Sequence, residues 1–223
     1  MKISRLSIAA ILAGAIALAR VVYFTPFEAI QGPAQKIFYV HVSAAWAAFL
    51  CFGLVGLLSA LYLGMREERL DRLAESAAEV GTVFTTVVLI TGPLWAKPVW
   101  GTYWTWDARL TLTLFLWFIF VGYMILRGAV EEAGMRARYS AILGILGALL
   151  IPFIHLSVYM FRTLHPKPIV AKPDRPSLPD EMLLTLGICV VASLILLWAL
   201  LRARYRYAIQ RDALIREGDL HAG

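Results

Sequence analysis

The sequence predicts an all-α integral membrane protein, a single bundle of six membrane-spanning helices with a tryptophan-rich segment at one membrane surface. Hydrophobic residues make up 60% of the 223 residues, whereas soluble domains average about 45–50%. Charged residues make up only 16%. Six apolar stretches each approach the length of about 20 residues that a helix needs to cross a bilayer. The length suits one membrane domain covering residues 1–223.

The six predicted spans follow one another with short connections between them. The first span also matches the pattern of a signal peptide, because Lys2 and Arg5 precede an apolar run with Ala-Leu-Ala at 17–19. The run continues through Val21 and Val22, which favours an uncleaved helix. In chain order the predicted spans are 6–24, 37–63, 77–94, 110–126, 139–161 and 182–201.

Lysine and arginine are distributed unequally between the two ends of these spans. Thirteen lie on the side that holds both termini, and eight lie on the other side. Since the more basic side of a membrane protein faces the cytoplasm, both termini are predicted to be cytoplasmic. The net charge of +6 then reflects orientation in the membrane and does not indicate nucleic-acid binding. Residues 25–36, 95–109 and a proline-rich loop at 162–180 are predicted to face outward.

Two cytoplasmic segments have simple interpretations. Residues 65–75 mix arginine with acidic residues and are interpreted as a solvated turn between the second and third spans. Residues 202–223 are interpreted as a tail that extends the sixth span as a short amphipathic helix. Anchoring at anionic lipid headgroups explains the arginines of this tail.

Residues 95–109, WAKPVWGTYWTWDAR, form the most unusual segment of the chain. They hold four of the seven tryptophans, together with Tyr103, Asp107 and Arg109. The segment is too polar to cross a bilayer, and amphipathic aromatic side chains settle at the membrane–water interface. We therefore expect a loop or short helix that presents an aromatic surface on the outer side. The four tryptophans are Trp95, Trp100, Trp104 and Trp106.

Two interpretations of this segment are open at the level of sequence. Interfacial belts are rich in tryptophan without binding a ligand. A binding role is favoured if a helix forms, because Trp100, Trp104 and Asp107 would then share one face. Asp107 and Arg109 could pair with each other, Asp107 could cap the fourth helix, or Arg109 could bind the carboxylate of a ligand.

Two histidines lie within spans at a similar depth beneath this segment. His41 is about one turn inside the second span, and His155 lies within about two turns of the outer end of the fifth. Either histidine alone could simply hydrogen-bond a neighbouring helix. Their matched depth beside four tryptophans favours metal ligation, and imidazole is a common axial ligand of haem iron. A zinc site would need more ligands than Asp107 and His165 supply.

Three motifs resemble those of a known family. WGTYWTWDARLT is similar to the "WWD" signature of haem-handling membrane proteins in cytochrome c biogenesis. YVHVSAAW and FIHLSVYMFRTLH are similar to the two flanking histidine motifs of one branch, the CcmC family. The resemblance covers most of the chain. The sequence departs from the family pattern at Tyr103, where many relatives have tryptophan, and at Met160 and Phe161, where an aromatic pair is common.

The resemblance implies a haem site. His41 and His155 would be the axial ligands of a non-covalently bound b-type haem, in a protein that is not a conventional enzyme. By position, Lys97 and Arg109 are the cations best placed for its propionates, and a structural role for each stays open. The remaining implied contacts are Trp95, Trp100, Tyr103, Trp104, Trp106 and Asp107.

The resemblance also implies a location and partners. Proteins of this family bind haem at the outer face of the cytoplasmic membrane and present it to the haem chaperone CcmE. They work with the small protein CcmD and the CcmA–CcmB transporter. Two alternatives stay open, a haem lyase of the same superfamily and a haem exporter. Lyases of the superfamily usually carry more spans and a second histidine pair.

Overall fold

The computed structural model describes residues 4–170 and 172–222, and for residues 216 and 218–222 it describes the backbone alone. Lys2, which the count of basic residues includes, lies outside this range. Within it, six helices are long and apolar enough to cross a membrane, as the sequence predicts. They are α1 (Arg5–Ala19), which a short π-helix continues to Phe24, α2 (Ile37–Met65), α3 (Glu68–Trp100), α4 (Ala108–Ala129), α5 (Ala133–Met160) and α6 (Asp180–Ala222).

Helix α2 lies at the centre of the bundle. It packs against α3, α5 and α6, while α4 packs between α3 and α5, and α1 lies against α6. Phe52 of α2 stacks on Phe120 of α4 with ring centroids 3.8 Å apart. A Cβ at Gly81 of α3 would lie 2.7 Å from the ring of Phe52, and one at Gly147 of α5 would lie 2.7 Å from that of Phe120. The two glycines therefore make room for the central ring pair.

Helix α3 is longer at both ends than the predicted span 77–94. It begins at Glu68, so the interpretation of residues 65–75 as a solvated turn is wrong apart from Arg66 and Glu67, which lie outside helices. The physical reason is that the polar first turns of α3 pack against neighbouring helices through ion pairs. At its other end α3 continues to Trp100, inside the tryptophan-rich segment.

An ion-pair cluster joins α3, α4 and α6. Arg127 of α4 donates to Asp71 of α3 at 2.7 and 2.9 Å and to Glu75 at 3.1 Å. Glu75 also accepts hydrogen bonds of 2.6 and 3.0 Å from Arg211 of α6. Arg127 and Glu75 are buried. The cluster thus fixes three helices to one another at the end of the bundle opposite the tryptophans.

The tail after residue 201 continues α6, a helix of 43 residues, in agreement with the predicted helical extension. Two of its arginines have partners within the protein. Arg211 pairs with Glu75, and Arg204 forms a salt bridge with Glu79. Lipid headgroups are therefore not needed to explain these two arginines.

Candidate functional site

The tryptophan-rich segment consists of the last turns of α3, a short loop and the first residues of α4. Gly101 follows α3 with a φ of 78°, a left-handed conformation that glycine adopts without steric cost. Residues 101–107 contain no helix. Trp100, Trp104 and Asp107 therefore do not share a helical face, because the chain turns between the first and the other two. We call the end of the bundle that carries this segment the tryptophan end.

Asp107 caps α4. Its Oδ1 accepts the backbone N–H of Leu110 at 3.1 Å, and its Oδ2 accepts the hydroxyl of Thr105 at 3.0 Å. Of the roles open to it from the sequence, the structure shows the helix cap. Among the described residues no hydrogen bond joins this carboxylate to Arg109, whose Nη1 has no partner.

Two cavities open at the tryptophan end, with volumes of about 1020 and about 230 Å³. His41, Trp95 and Arg109 line both, so the two cavities adjoin. Ligand sites in proteins typically span about 300–1,000 Å³, and the larger cavity is of this size. Of the predicted site residues, the larger cavity adds His155 and the smaller adds Trp100 and Trp104.

His41 is held by α3. Its Nδ1 lies 3.0 Å from Oγ1 of Thr91, whose hydroxyl donates its own hydrogen to the carbonyl of Val87 at 2.7 Å. The threonine oxygen must therefore accept from Nδ1–H of the imidazole. A neutral imidazole protonated at Nδ1 keeps a free lone pair on Nε2. Nε2 is thus the nitrogen of His41 that is available to a ligand.

His165 is not among the predicted haem contacts, but the structure places it beside the predicted site residues. It lies in the loop after α5 but lines both cavities, and its ring makes an edge contact with Trp100 at a centroid distance of 6.5 Å. Its Nδ1 donates to the carbonyl of Pro166 at 2.9 Å, which leaves Nε2 unprotonated. Burial, reinforced by the positive charge of Arg109, lowers the pKa of His165 to about 4. The imidazole is therefore neutral at neutral pH.

His155 has a different environment. It lines only the larger cavity, and its side chain is exposed. Its ring lies tilted to that of Tyr159, with centroids 6.5 Å apart. Within the described residues its imidazole forms no hydrogen bond that would select a tautomer or fix the ring.

Two buried donors in the smaller cavity lack acceptors. Nε1 of Trp104 and Nη1 of Arg109 have no hydrogen-bond partner among the described residues. Leaving a buried donor unpaired costs about 1–3 kcal/mol, and more when the group is charged. The wall of this cavity is therefore suited to an acceptor with negative charge, such as a carboxylate.

The other predicted contacts lie outside both cavities. Tyr103, Trp106 and Asp107 line neither. Trp106 is 77% exposed and makes an edge contact with Trp104. Lys97 donates at 2.9 Å to the carbonyl of the glycine that follows α3, and its ammonium lies over the ring of Tyr103. Lys97 is thus occupied away from the cavities, unlike Arg109.

Comparison with known proteins agrees with the motifs. The model of the CcmC family, described as heme exporter protein C, matches residues 2–217. This chain belongs to the CcmC family. The predicted membership is confirmed, and with the six apolar helices it makes the chain a multi-pass membrane protein.

Three relatives illustrate the similarity, each named heme exporter protein C. The chain is 37% identical to that of Bradyrhizobium diazoefficiens over 186 residues, which cover 83% of this chain and 71% of the relative. It is 33% identical to that of Haemophilus influenzae over 189 residues, covering 85% and 77%. It is 36% identical to that of Escherichia coli K12 over 142 residues, covering 64% and 58%.

Proposed function

We propose that this chain binds haem non-covalently at the tryptophan end of its bundle and presents it to the chaperone CcmE during maturation of c-type cytochromes. Membership of the CcmC family supports the choice of haem. The observation that carries the proposal is the convergence of imidazoles, indoles and an unpaired guanidinium on two adjoining cavities. The chain acts as a binding and transfer module rather than as a conventional enzyme.

His41 would supply the first iron ligand in this proposal, because its free Nε2 belongs to a side chain that lines both cavities. The second ligand is His155 or His165. Histidines that bind metals usually donate their other N–H to a carbonyl or carboxylate, and His165 does so to Pro166. His165 also shares the smaller cavity with His41. The geometry therefore favours His165, while ligation by His155 stays a prediction from the sequence.

Arg109 and Trp104 form the acceptor-binding side of the proposed site. A guanidinium binds a carboxylate through two parallel hydrogen bonds, so Arg109 is suited to a propionate. The indole N–H of Trp104 supplies a further donor in the same cavity. Trp95 and Trp100 contribute apolar walls suited to a flat macrocycle.

The exposed aromatic residues of the segment are suited to a partner protein. Trp106 and Tyr103 lie outside the cavities and expose 77% and 56% of their surfaces. Exposed tryptophan and tyrosine are enriched in protein interfaces. We assign them to contact with CcmE. CcmD and the CcmA–CcmB transporter are further partners by family membership, and the site lies on the outer face of the cytoplasmic membrane by the distribution of basic residues.

The spectrum of the purified protein tests the ligand assignment. Wild type is expected to copurify with haem whose absorption is typical of two imidazole ligands. His41→Ala and His165→Ala should each abolish this spectrum, whereas His155→Ala should keep it. If His155→Ala abolishes the spectrum and His165→Ala does not, His155 is the second ligand. Wild type without haem, or a spectrum unchanged in His41→Ala, contradicts the proposed site.

Haem export is a second candidate, favoured by the name that the relatives carry. It differs from presentation in requiring transfer of haem across the bilayer. Proteoliposomes with haem outside and a haem-binding reporter inside separate the two functions. Presentation predicts no transport by the protein alone, and export predicts transport that exceeds that of empty liposomes.

A further inference from the structure

A threonine of α3 contacts His41. Thr91 lies on α3, nine residues before its end at Trp100, and its Oγ1 is 3.0 Å from Nδ1 of His41. Its hydroxyl hydrogen is committed to the carbonyl of Val87 at 2.7 Å. The oxygen can therefore act only as an acceptor toward the imidazole.

The other described threonines of α3 form the same helix hydrogen bond as Thr91 but do not contact a histidine. Thr82, Thr85 and Thr86 also donate to the carbonyl four residues earlier, each at 2.8 Å. This bond satisfies a hydroxyl within an apolar helix and needs no partner elsewhere. Of these four threonines, Thr91 is the one whose oxygen contacts a histidine. Its hydrogen bond to His41 is thus additional to what helix stability requires.

The remainder of the imidazole is also confined by α3. A Cβ placed on Gly92 would lie 3.3 Å from Cε1 of His41, so the ring rests directly on the backbone there. Trp95 makes an edge contact with the ring at a centroid distance of 5.9 Å. The indole of Trp95 is itself fixed, since its Nε1 donates to Oε1 of Gln31 at 2.9 Å. Three residues of α3, at positions 91, 92 and 95, therefore contact the ring.

We propose that Thr91 is a positioning residue that holds His41 as the Nδ1–H tautomer with Nε2 directed to the ligand. The inference rests on the proposed haem site and assigns it a supporting residue. A second hydrogen bond on a metal-binding imidazole fixes its tautomer and orientation and raises its basicity. Loss of such a partner lowers metal affinity by about 10–100-fold.

Thr91→Val tests this inference, because it keeps the shape of the side chain and removes the oxygen. We expect haem affinity to fall by about 10–100-fold, with a shift of the Soret band and of the midpoint potential. Thr91→Ser restores the hydroxyl and should restore both. Thr82→Val is the matched control, since it removes the same type of helix bond at a buried position without a histidine.

The outcomes separate the inference from the proposed function. Wild-type affinity, spectrum and potential in Thr91→Val overturn the role of Thr91 and leave the haem site intact. Equal losses in Thr91→Val and Thr91→Ser also overturn it, because the hydroxyl is then not the cause. If Thr91→Val does not fold, Thr91→Ala removes the same oxygen with a smaller side chain and should give the same losses. A wild type without haem contradicts the proposed function itself.

Discussion

Arg109 lies in the first turn of α4, and its guanidinium has no partner in the described residues of that turn. Asp107, two residues earlier, caps the helix and forms no hydrogen bond with the guanidinium among the described residues. Nη1 of Arg109 is buried without a partner in the described chain. A buried charge of this kind is costly unless another group pairs with it. In the proposed site, Arg109 binds an anion that the polypeptide does not supply.

Arg109→Gln should weaken haem binding by about 10–100-fold, the equivalent of the 1.5–3 kcal/mol typical of a hydrogen bond to a charged group. Haem titration of the purified protein measures the change. Lys97→Gln is the matched control, because this cation lies over Tyr103 and outside the cavities. The haem affinity of Lys97→Gln should match that of wild type. Equal losses in both variants would mean that general positive charge, and not a defined contact, holds the ligand.

The histidines show which parts of the site could be predicted from the sequence. The depth of His41 follows from counting residues along a helix of known rise, and it does line both cavities. His165 follows α5 in a loop, where no regular rise applies. The loop turns back, with the backbone N–H of His165 bonded to Oγ1 of Thr163, and this brings the ring onto Trp100. The contact between His165 and Trp100 is tertiary, and the spacing of residues along the chain does not predict it.

The ends of a helix are harder to predict from the sequence than its existence, because the ends also depend on tertiary contacts. Apolar length alone locates a span, because the bilayer requires about 20 such residues. The first turns of α3 are polar, and their charges resemble those of a solvated turn. They are helical because Asp71 and Glu75 meet Arg127 and Arg211 on two other helices. The sequence shows the charges but not their pairing.

Arg127→Met should destabilise the packing of α3 on α4. The substitution leaves Asp71 without its arginine and Glu75 with only Arg211, and breaking a buried pair costs about 3–5 kcal/mol. Thermal unfolding in detergent measures the loss as a lower Tm. Because the cluster lies at the opposite end from the cavities, haem affinity below that temperature should not change.

Arg69→Ala provides the comparison for this cluster. Arg69 pairs with Glu67 at 3.1 Å, but its side chain is 72% exposed. Surface pairs of this kind contribute about 0–1 kcal/mol. For a chain of this size, each kcal/mol shifts the Tm by about 2–4 °C. The Tm of Arg69→Ala should therefore stay within a few degrees of the wild-type value. A Tm for Arg127→Met as high as that for Arg69→Ala would show that the cluster does not stabilise the bundle.

At the scale of the whole molecule, the two ends of the bundle have different chemistry. The tryptophan end holds the cavities, the unpaired donors and the exposed aromatic side chains, whereas the opposite end holds a cluster in which arginines are paired with carboxylates. A chain built this way can remain rigid at one end while the other receives a ligand and a partner. The proposed function requires that the tryptophan end faces outward, which the count of basic residues predicts.

Cysteine labelling of intact cells tests this orientation directly. The native thiols, Cys51 and Cys189, are both buried, so they give little background with a membrane-impermeant maleimide. Asp174→Cys places a thiol on the exposed loop at the tryptophan end, and Arg69→Cys places one on the exposed first turn of α3. The first variant should be labelled in intact spheroplasts, and the second only after lysis. The reverse pattern would put the cavities in the cytoplasm, where haem could not be presented to an outward-facing chaperone.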